Sequence, residues 1–262
     1  DMNVKRFQLP NGAYLSYAEY GAPDGQPLLL LHGLVGSVCS DGLEEQLRAF
    51  PLRVIALARP GYGASDYFDM DCAADWGRHL AGFFEYLGIQ RFDVLGISAG
   101  TPYAYSLAAL YPNQVGTVYI NSGMPAVCLP EILAQYPSQD AALYDRFRSM
   151  SRQEVGKFLY ESYLPVLSKE VLQSRDFQDS MGGDLRNIGQ EAKLQGLPWG
   201  FELSEVRCPV VLLHGTADSE VPYSAMQETS KYISNARIIT LEGEEHASPT
   251  IEAKLMEELL SN

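Results

Sequence analysis

Cations are scarce in this chain: 19 lysines and arginines stand against 33 aspartates and glutamates among 262 residues, leaving a formal charge of −14. Such a balance repels phosphodiester backbones and anionic lipid surfaces, so neither nucleic acid nor membrane is expected as a partner, and a small molecule is. Long apolar runs are lacking too. None approaches the ~20 residues needed to span a bilayer. The start, Asp1-Met2-Asn3-Val4-Lys5-Arg6, leads into a strand-like segment rather than a signal-peptide core, and Asp1 reads as an addition ahead of a native Met2. Cysteine is limited to Cys39, Cys72, Cys128 and Cys208, which form no C-x-x-C pair. That spacing argues against a zinc ribbon or a dithiol redox motif. Reduced, mostly buried thiols, no metal and a cytoplasmic location are expected.

Hydrophobic residues are plentiful at 46%, enough for a substantial core. They fall into short segments bounded by turn residues: Val4 to Leu9, Ala13 to Tyr20, Pro27 to Leu31, Arg53 to Ala58, Phe92 to Ile97, Gly116 to Ile120, Pro209 to Leu213 and Ala236 to Leu241. The first two flank Pro10-Asn11-Gly12 and predict a hairpin. Most of the others are continuous apolar runs, the pattern of strands buried on both faces. Helical spacing occupies Leu43 to Phe50, Ala73 to Leu87, Thr101 to Tyr111, Ser224 to Ile233 and Ile251 to Leu260. The alternation predicts an α/β fold: an eight-stranded, mostly parallel sheet with helices on both faces. One stretch breaks it. From about residue 124 to 200 there is no convincing strand, which predicts an inserted helical unit between two parts of a core, 1–123 and 201–262. Such a unit would lie above the carboxyl ends of the strands, where open α/β sheets bind ligands.

Gly96-Ile97-Ser98-Ala99-Gly100 is the most informative motif, because it joins the strand-like Phe92-Asp93-Val94-Leu95 to the helical Tyr103-to-Leu110 segment. A serine between glycines at a strand-to-helix turn is a nucleophile elbow, with Pro102 tolerated in the first turn of the helix. A serine hydroxyl needs a general base, usually a histidine oriented by a carboxylate. Of the four histidines, His32 and His214 each precede a glycine after a strand, and His79 sits in a helical segment. His246 follows the last strand, in Glu242-Gly243-Glu244-Glu245-His246, and is the candidate base. Asp218, in His214-Gly215-Thr216-Ala217-Asp218, is the candidate acid, with Glu220 its nearby competitor. Glu244 and Glu245 are candidates to raise the His246 pKa. The backbone N–H groups of Leu34 and Ala99 are the expected oxyanion donors, and His32-Gly33 is read as shaping their loop.

These residues, together with Arg59-Pro60-Gly61-Tyr62-Gly63-Ala64-Ser65 and Val221-Pro222, resemble the α/β-hydrolase fold family over almost the whole chain. The resemblance implies a helical cap inserted after the sixth strand, covering 124–200, and no cofactor in most members. Members that are haloalkane dehalogenases or epoxide hydrolases carry aspartate in the elbow, so Ser98 argues against both. Aromatic residues of the inserted stretch, Tyr163 and Trp199 among them, are candidate substrate contacts. The expected activity is hydrolysis of a carboxylic ester, lactone or thioester of a small to medium, largely apolar substrate. The alternatives are carbon–carbon bond hydrolysis by the same residues, or a ligand receptor with little turnover.

Overall fold

The computed structural model describes residues 3–261. Eight strands form one sheet: β1 (Val4–Gln8), β2 (Tyr14–Gly21), β3 (Pro27–Leu31), β4 (Arg53–Leu57), β5 (Phe92–Ile97), β6 (Val115–Asn121), β7 (Val210–Gly215) and β8 (Ala236–Leu241). Their spatial order is β1-β2-β4-β3-β5-β6-β7-β8. β2 runs antiparallel to β1 and β4, and every later pairing is parallel. The chain runs outward from β3 to β4 and then crosses to β5 on the other side. The carboxyl ends of β3 and β5 therefore meet at the switch point where such sheets open a crevice.

The described residues form twelve helices: α1 (Leu43–Leu47), α2 (Ala74–Gly77), α3 (Ala81–Leu87), α4 (Thr101–Leu110), α5 (Pro130–Leu133), α6 (Ser138–Arg148), α7 (Arg152–Tyr163), α8 (Lys169–Leu172), α9 (Arg175–Met181), α10 (Arg186–Gln195), α11 (Tyr223–Ser230) and α12 (Pro249–Leu260). Side chains alternate across each strand, so β3 sends Leu29 and Leu31 into a core with Trp76, Phe83 and Tyr103 of α2, α3 and α4. Leu28 and Leu30 face the opposite cluster, with Leu47 of α1 and Leu255 and Leu259 of α12.

Two helices differ from the sequence reading. The segment from Ala73 to Leu87 is two short helices, because Tyr111 Oη donates to the Gly77 carbonyl (2.5 Å). That oxygen also accepts from Leu80 N (3.1 Å), so it is not available to extend one helix through Ala81. Helix α1 ends at Leu47, short of Phe50, since the residue before Pro51 is biased away from helical geometry. The four cysteines are partly buried rather than buried, and none is paired.

Between β6 and β7 the described residues form α5 to α10 and a single turn at Leu203–Glu205. Helices α7 and α10 pack backbone to backbone: a Cβ on Gly189 would lie 1.7 Å from the Arg152 carbonyl oxygen, so no larger residue fits. This helical unit is bonded to the core from beneath. Arg59, in the loop after β4, donates from Nε (2.5 Å) and Nη2 (2.9 Å) to the Glu191 carboxylate of α10, and both side chains are buried. Ser180 of α9 accepts from Gly36 N (2.8 Å) and donates to Gly36 O (2.9 Å). Removing one partner of a buried ion pair strands the other charge, so Glu191→Ala is expected to lower stability by about 3–5 kcal/mol. Chemical denaturation reads this directly, and an unchanged midpoint would show that the pair contributes nothing.

Candidate active site

Ser98 follows β5 directly with φ at 48°, the left-handed region that costs a residue with a Cβ of order 1–3 kcal/mol. The turn is held by its carbonyl, which accepts from Met124 N (3.1 Å) and Thr101 Oγ1 (2.6 Å). Two residues on, a Cβ at Gly100 would sit 2.5 Å from the Leu31 carbonyl oxygen, so the helix can start this close to β3 only with glycine there. The strain aims the Ser98 hydroxyl into a cavity at the switch point, where Ser98, His246 and Leu34 are all lining residues.

His246 reaches Ser98 from the loop after β8. Its Nε2 lies 3.0 Å from Ser98 Oγ and its Nδ1 lies 2.8 Å from Asp218 Oδ2. The loop is fastened to the end of β6 by Ala247 N, which donates to Ser122 Oγ (2.9 Å). A carboxylate only accepts, so Nδ1 carries the proton and Nε2 presents a lone pair to the serine hydroxyl. Asp218 is fixed in turn. Its Oδ1 accepts from Glu220 N (2.9 Å) and Val221 N (2.7 Å), and the side chain is buried. His214, also buried, directs Nε2 at Val221 O (2.9 Å) and at Asp218 Oδ2 (3.3 Å). A carbonyl accepts only, so His214 carries its proton on Nε2, directed at Val221 O, and stands beside Asp218 Oδ2 as an electrostatic neighbour.

Charge in this cluster is tuned by competing effects. Burial alone would push His246 down, but its bond to Asp218 and the charges of Glu220 and Asp218 outweigh it, and the imidazole pKa is raised. Burial would raise Asp218, yet the His246 bond, the Val221 N–H and the two neighbouring imidazoles hold its carboxyl below the ordinary value. The carboxylate that supplements Asp218 is Glu220, whose Oε2 stands 3.8 Å from His246 Nε2. Glu244 and Glu245 do not fill that role. Glu244 instead accepts from Ser248 Oγ (3.0 Å). Any rate that needs neutral His246 falls as pH drops through its raised pKa. Glu220→Gln removes a charge that favours imidazolium, so the acidic limb of kcat/KM is expected to move to lower pH. An unmoved limb at low salt would show that this exposed carboxylate is screened from the ring.

The loop after β3 faces the serine. A Cβ added to Gly33 would lie 3.8 Å from the Ser98 Cβ. Gly33 O accepts from Arg59 Nη2 (3.2 Å) and from His32 Nδ1 (2.7 Å), while His32 Nε2 accepts from Arg59 N (3.1 Å). Burial and the Arg59 charge push His32 well below its ordinary pKa, consistent with a neutral ring carrying one proton on Nδ1. The 33–34 peptide is planar and trans, so its oxygen and its N–H point opposite ways. With Gly33 O drawn to Arg59 and His32, the Leu34 N–H is turned away from them. The Ala99 N–H lies in the first turn of a helix, where backbone donors have no intrahelical partner. Tyr62 Oη (2.8 Å) secures the Leu34 carbonyl.

Sequence reasoning missed Arg59, Tyr62, Ser180 and Glu191 as the fasteners of this loop. Arg59 and Glu191 are 132 residues apart, and no local pattern pairs them. Of the two aromatic candidates, Tyr163 lines the cavity beside Tyr136 and Tyr144. Trp199 does not. It is buried, packs against Tyr105 with ring centroids 6.4 Å apart, and donates to Gln195 O (3.2 Å), so it pins the junction of insertion and core. The cavity lining includes Asp41, Glu170, Asp176, Glu220 and Glu252 but no lysine or arginine among the described residues.

Residues 28–258 match the model of the alpha/beta hydrolase family. A bifunctional esterase/perhydrolase of Acinetobacter calcoaceticus is 25% identical over 93% of each chain. A 2-hydroxy-6-oxononadienedioate/2-hydroxy-6-oxononatrienedioate hydrolase of Burkholderia vietnamiensis is 26% identical over 75% of this chain and 72% of its own. Among solved structures, a thermophilic esterase from Thermogutta terrifontis superposes with a TM-score of 0.74 at 19% identity, covering 98% of this chain and 97% of that one. No helix among the described residues is long and apolar enough to cross a membrane.

Proposed function

The chain belongs to the alpha/beta hydrolase family, and on that premise we propose that it is a serine hydrolase of carboxylic esters with a largely apolar substrate. The observation that carries this reading is the continuous bonding from Ser98 Oγ through both nitrogens of His246 to buried Asp218, at the wall of a cavity. In the proposed reaction Ser98 Oγ attacks the ester carbonyl while His246 Nε2 takes its proton. Asp218 keeps the ring in the required tautomer and stabilises the imidazolium that forms. The tetrahedral oxyanion is received by the N–H groups of Leu34 and Ala99, which are oriented before the charge develops. Collapse expels the alcohol, protonated by His246. Water, activated by the same imidazole, then releases the acid.

The insertion over residues 124–200 acts as a cap in this reading, and Tyr163 is its contact with substrate. Lactones and thioesters follow the same steps. Carbon–carbon hydrolysis is the second reading, favoured by the similarity to the dioate hydrolase. Doubly anionic substrates of that kind need cationic partners, whereas this lining carries five carboxylates. The test is turnover of neutral p-nitrophenyl esters against a 2-hydroxy-6-oxo dienedioate. Ester turnover alone supports the proposal. Turnover of the dioate alone overturns it, and labelling of Ser98 without turnover of either turns the reading toward a receptor.

A further inference from the structure

The cavity at Ser98 is far larger than cleavage of a short ester requires. At about 850 Å³ it lies near the upper end of the range for sites that engulf small molecules, about 300–1,000 Å³. It does not stop under the helical insertion. The same continuous space that touches Ser98 and His246 also touches Leu28, Val54 and Leu259, at the far end of the sheet face. Leu28 is in register with Asp93, five residues before Ser98, so the space descends roughly 16 Å along the strands at their usual rise.

The helical cover of the sheet is thin beside Leu30 for a physical reason, although Leu28, Val54 and Ala56 remain buried. Helix α1 has five residues and extends only about 7.5 Å, roughly half the length of the five-residue strands beside it. A leucine in the middle of β3, flanked on both sides by β4 and β5, would ordinarily be sealed. Leu30 is instead only partly buried. The opposite wall is α12, which contributes Leu255 and Met256. Gln46 Nε2 of α1 donates to Glu252 Oε1 of α12 (2.6 Å), linking the two helices across the outside of the space. The descending part is walled by Leu30, Val54, Ala56, Leu95, Leu255 and Met256, and its carboxylates are confined to the upper rim at Asp41, Glu170, Asp176 and Glu252.

We infer that this channel between α1 and α12 holds an unbranched alkyl chain of the ester that Ser98 cleaves. Its depth accommodates about a dozen extended carbons at the ~16 Å span given by the strand rise. The inference rests on the serine-hydrolase reading and extends its substrate beyond the small to medium size expected from sequence. A chain with an anionic end is disfavoured at the acidic rim, so the substrate is a neutral long-chain ester. The chain belongs to either the acyl or the alcohol half, two arms that the assay separates.

The test measures kcat/KM on p-nitrophenyl esters from acetate to hexadecanoate, and in parallel on alkyl acetates from ethyl to hexadecyl. The arm that enters the channel is expected to gain up to about fourfold per added methylene, the factor for complete burial of each, and to level off near twelve carbons. Leu30→Phe and Met256→Phe, which narrow opposite walls, are each expected to lower the dodecyl-to-butyl ratio of kcat/KM in that arm at least tenfold. Values that are flat or falling beyond four carbons in both arms overturn the inference and leave the hydrolase reading intact. So does a ratio that both variants leave unchanged. Calorimetric binding of 1-decanol to Ser98→Ala reads the channel without turnover. Decanol binding that Met256→Phe abolishes supports the channel even if no ester is hydrolysed, an outcome that overturns only the hydrolase reading. Absence of decanol binding overturns the channel.

Discussion

Ser98→Ala is expected to lower ester turnover by more than ~10³-fold, leaving only the catalysis that binding and oxyanion donors give without a nucleophile. The protein should stay folded. Alanine carries the same Cβ through the φ of 48°, so the strain is unchanged, and the side-chain bond lost among the described residues is the one to His246. Thermal unfolding recorded beside the kinetics separates the two effects. Near-wild-type hydrolysis by folded Ser98→Ala, with contaminating esterase excluded, would remove Ser98 from the mechanism.

Asp218→Asn is expected to be nearly as severe, up to about 10⁴-fold in kcat, while adding no bulk. An asparagine can keep its carbonyl oxygen toward the N–H groups of Glu220 and Val221, which now bond to Asp218 Oδ1. Its NH₂ then faces His246 Nδ1, a nitrogen that today donates to Asp218 Oδ2. Two donors cannot share that bond, so the imidazole moves its proton to Nε2 and loses the lone pair that accepts from Ser98. The substitution also removes the negative charge that faces His214 Nε2, 3.3 Å from Asp218 Oδ2, which adds a cost in stability. Glu220→Gln is expected to be mild in kcat, because Glu220 stands 3.8 Å from His246 Nε2 with a side chain 62% exposed. A severe Glu220→Gln beside a mild Asp218→Asn would exchange the two roles.

The central strands were legible because a parallel sheet buries both their faces, which short apolar runs such as Leu28-Leu29-Leu30-Leu31 between turn residues reflect. The elbow was legible for a similar reason: Gly96 and Gly100 mark a turn that few other sequences permit next to a strand. His246, expected on chain order, bonds Ser98 through Nε2, and Asp218 bonds its Nδ1. What escaped depends on contacts between distant segments. The Arg59–Glu191 pair draws two ordinary surface-type residues into the interior. The carboxylate nearest His246 on its serine side is Glu220, brought there by folding, while of its sequence neighbours Glu244 accepts from Ser248 Oγ and Glu245 is exposed. Trp199 had the composition of a pocket residue and the position of a packing one. The channel was hidden by a helix boundary: the spacing suggests a helix through Phe50, whereas α1 ends at Leu47.

Labelling with a fluorophosphonate, followed by peptide mass spectrometry, reads whether Ser98 is an activated nucleophile. One phosphonyl adduct per chain is expected, on Ser98. Its rate should fall as pH drops through the raised pKa of His246, and the adduct should be absent from folded Ser98→Ala. A folded wild-type protein that takes no label, or takes it on another residue, would exclude Ser98 as the activated nucleophile.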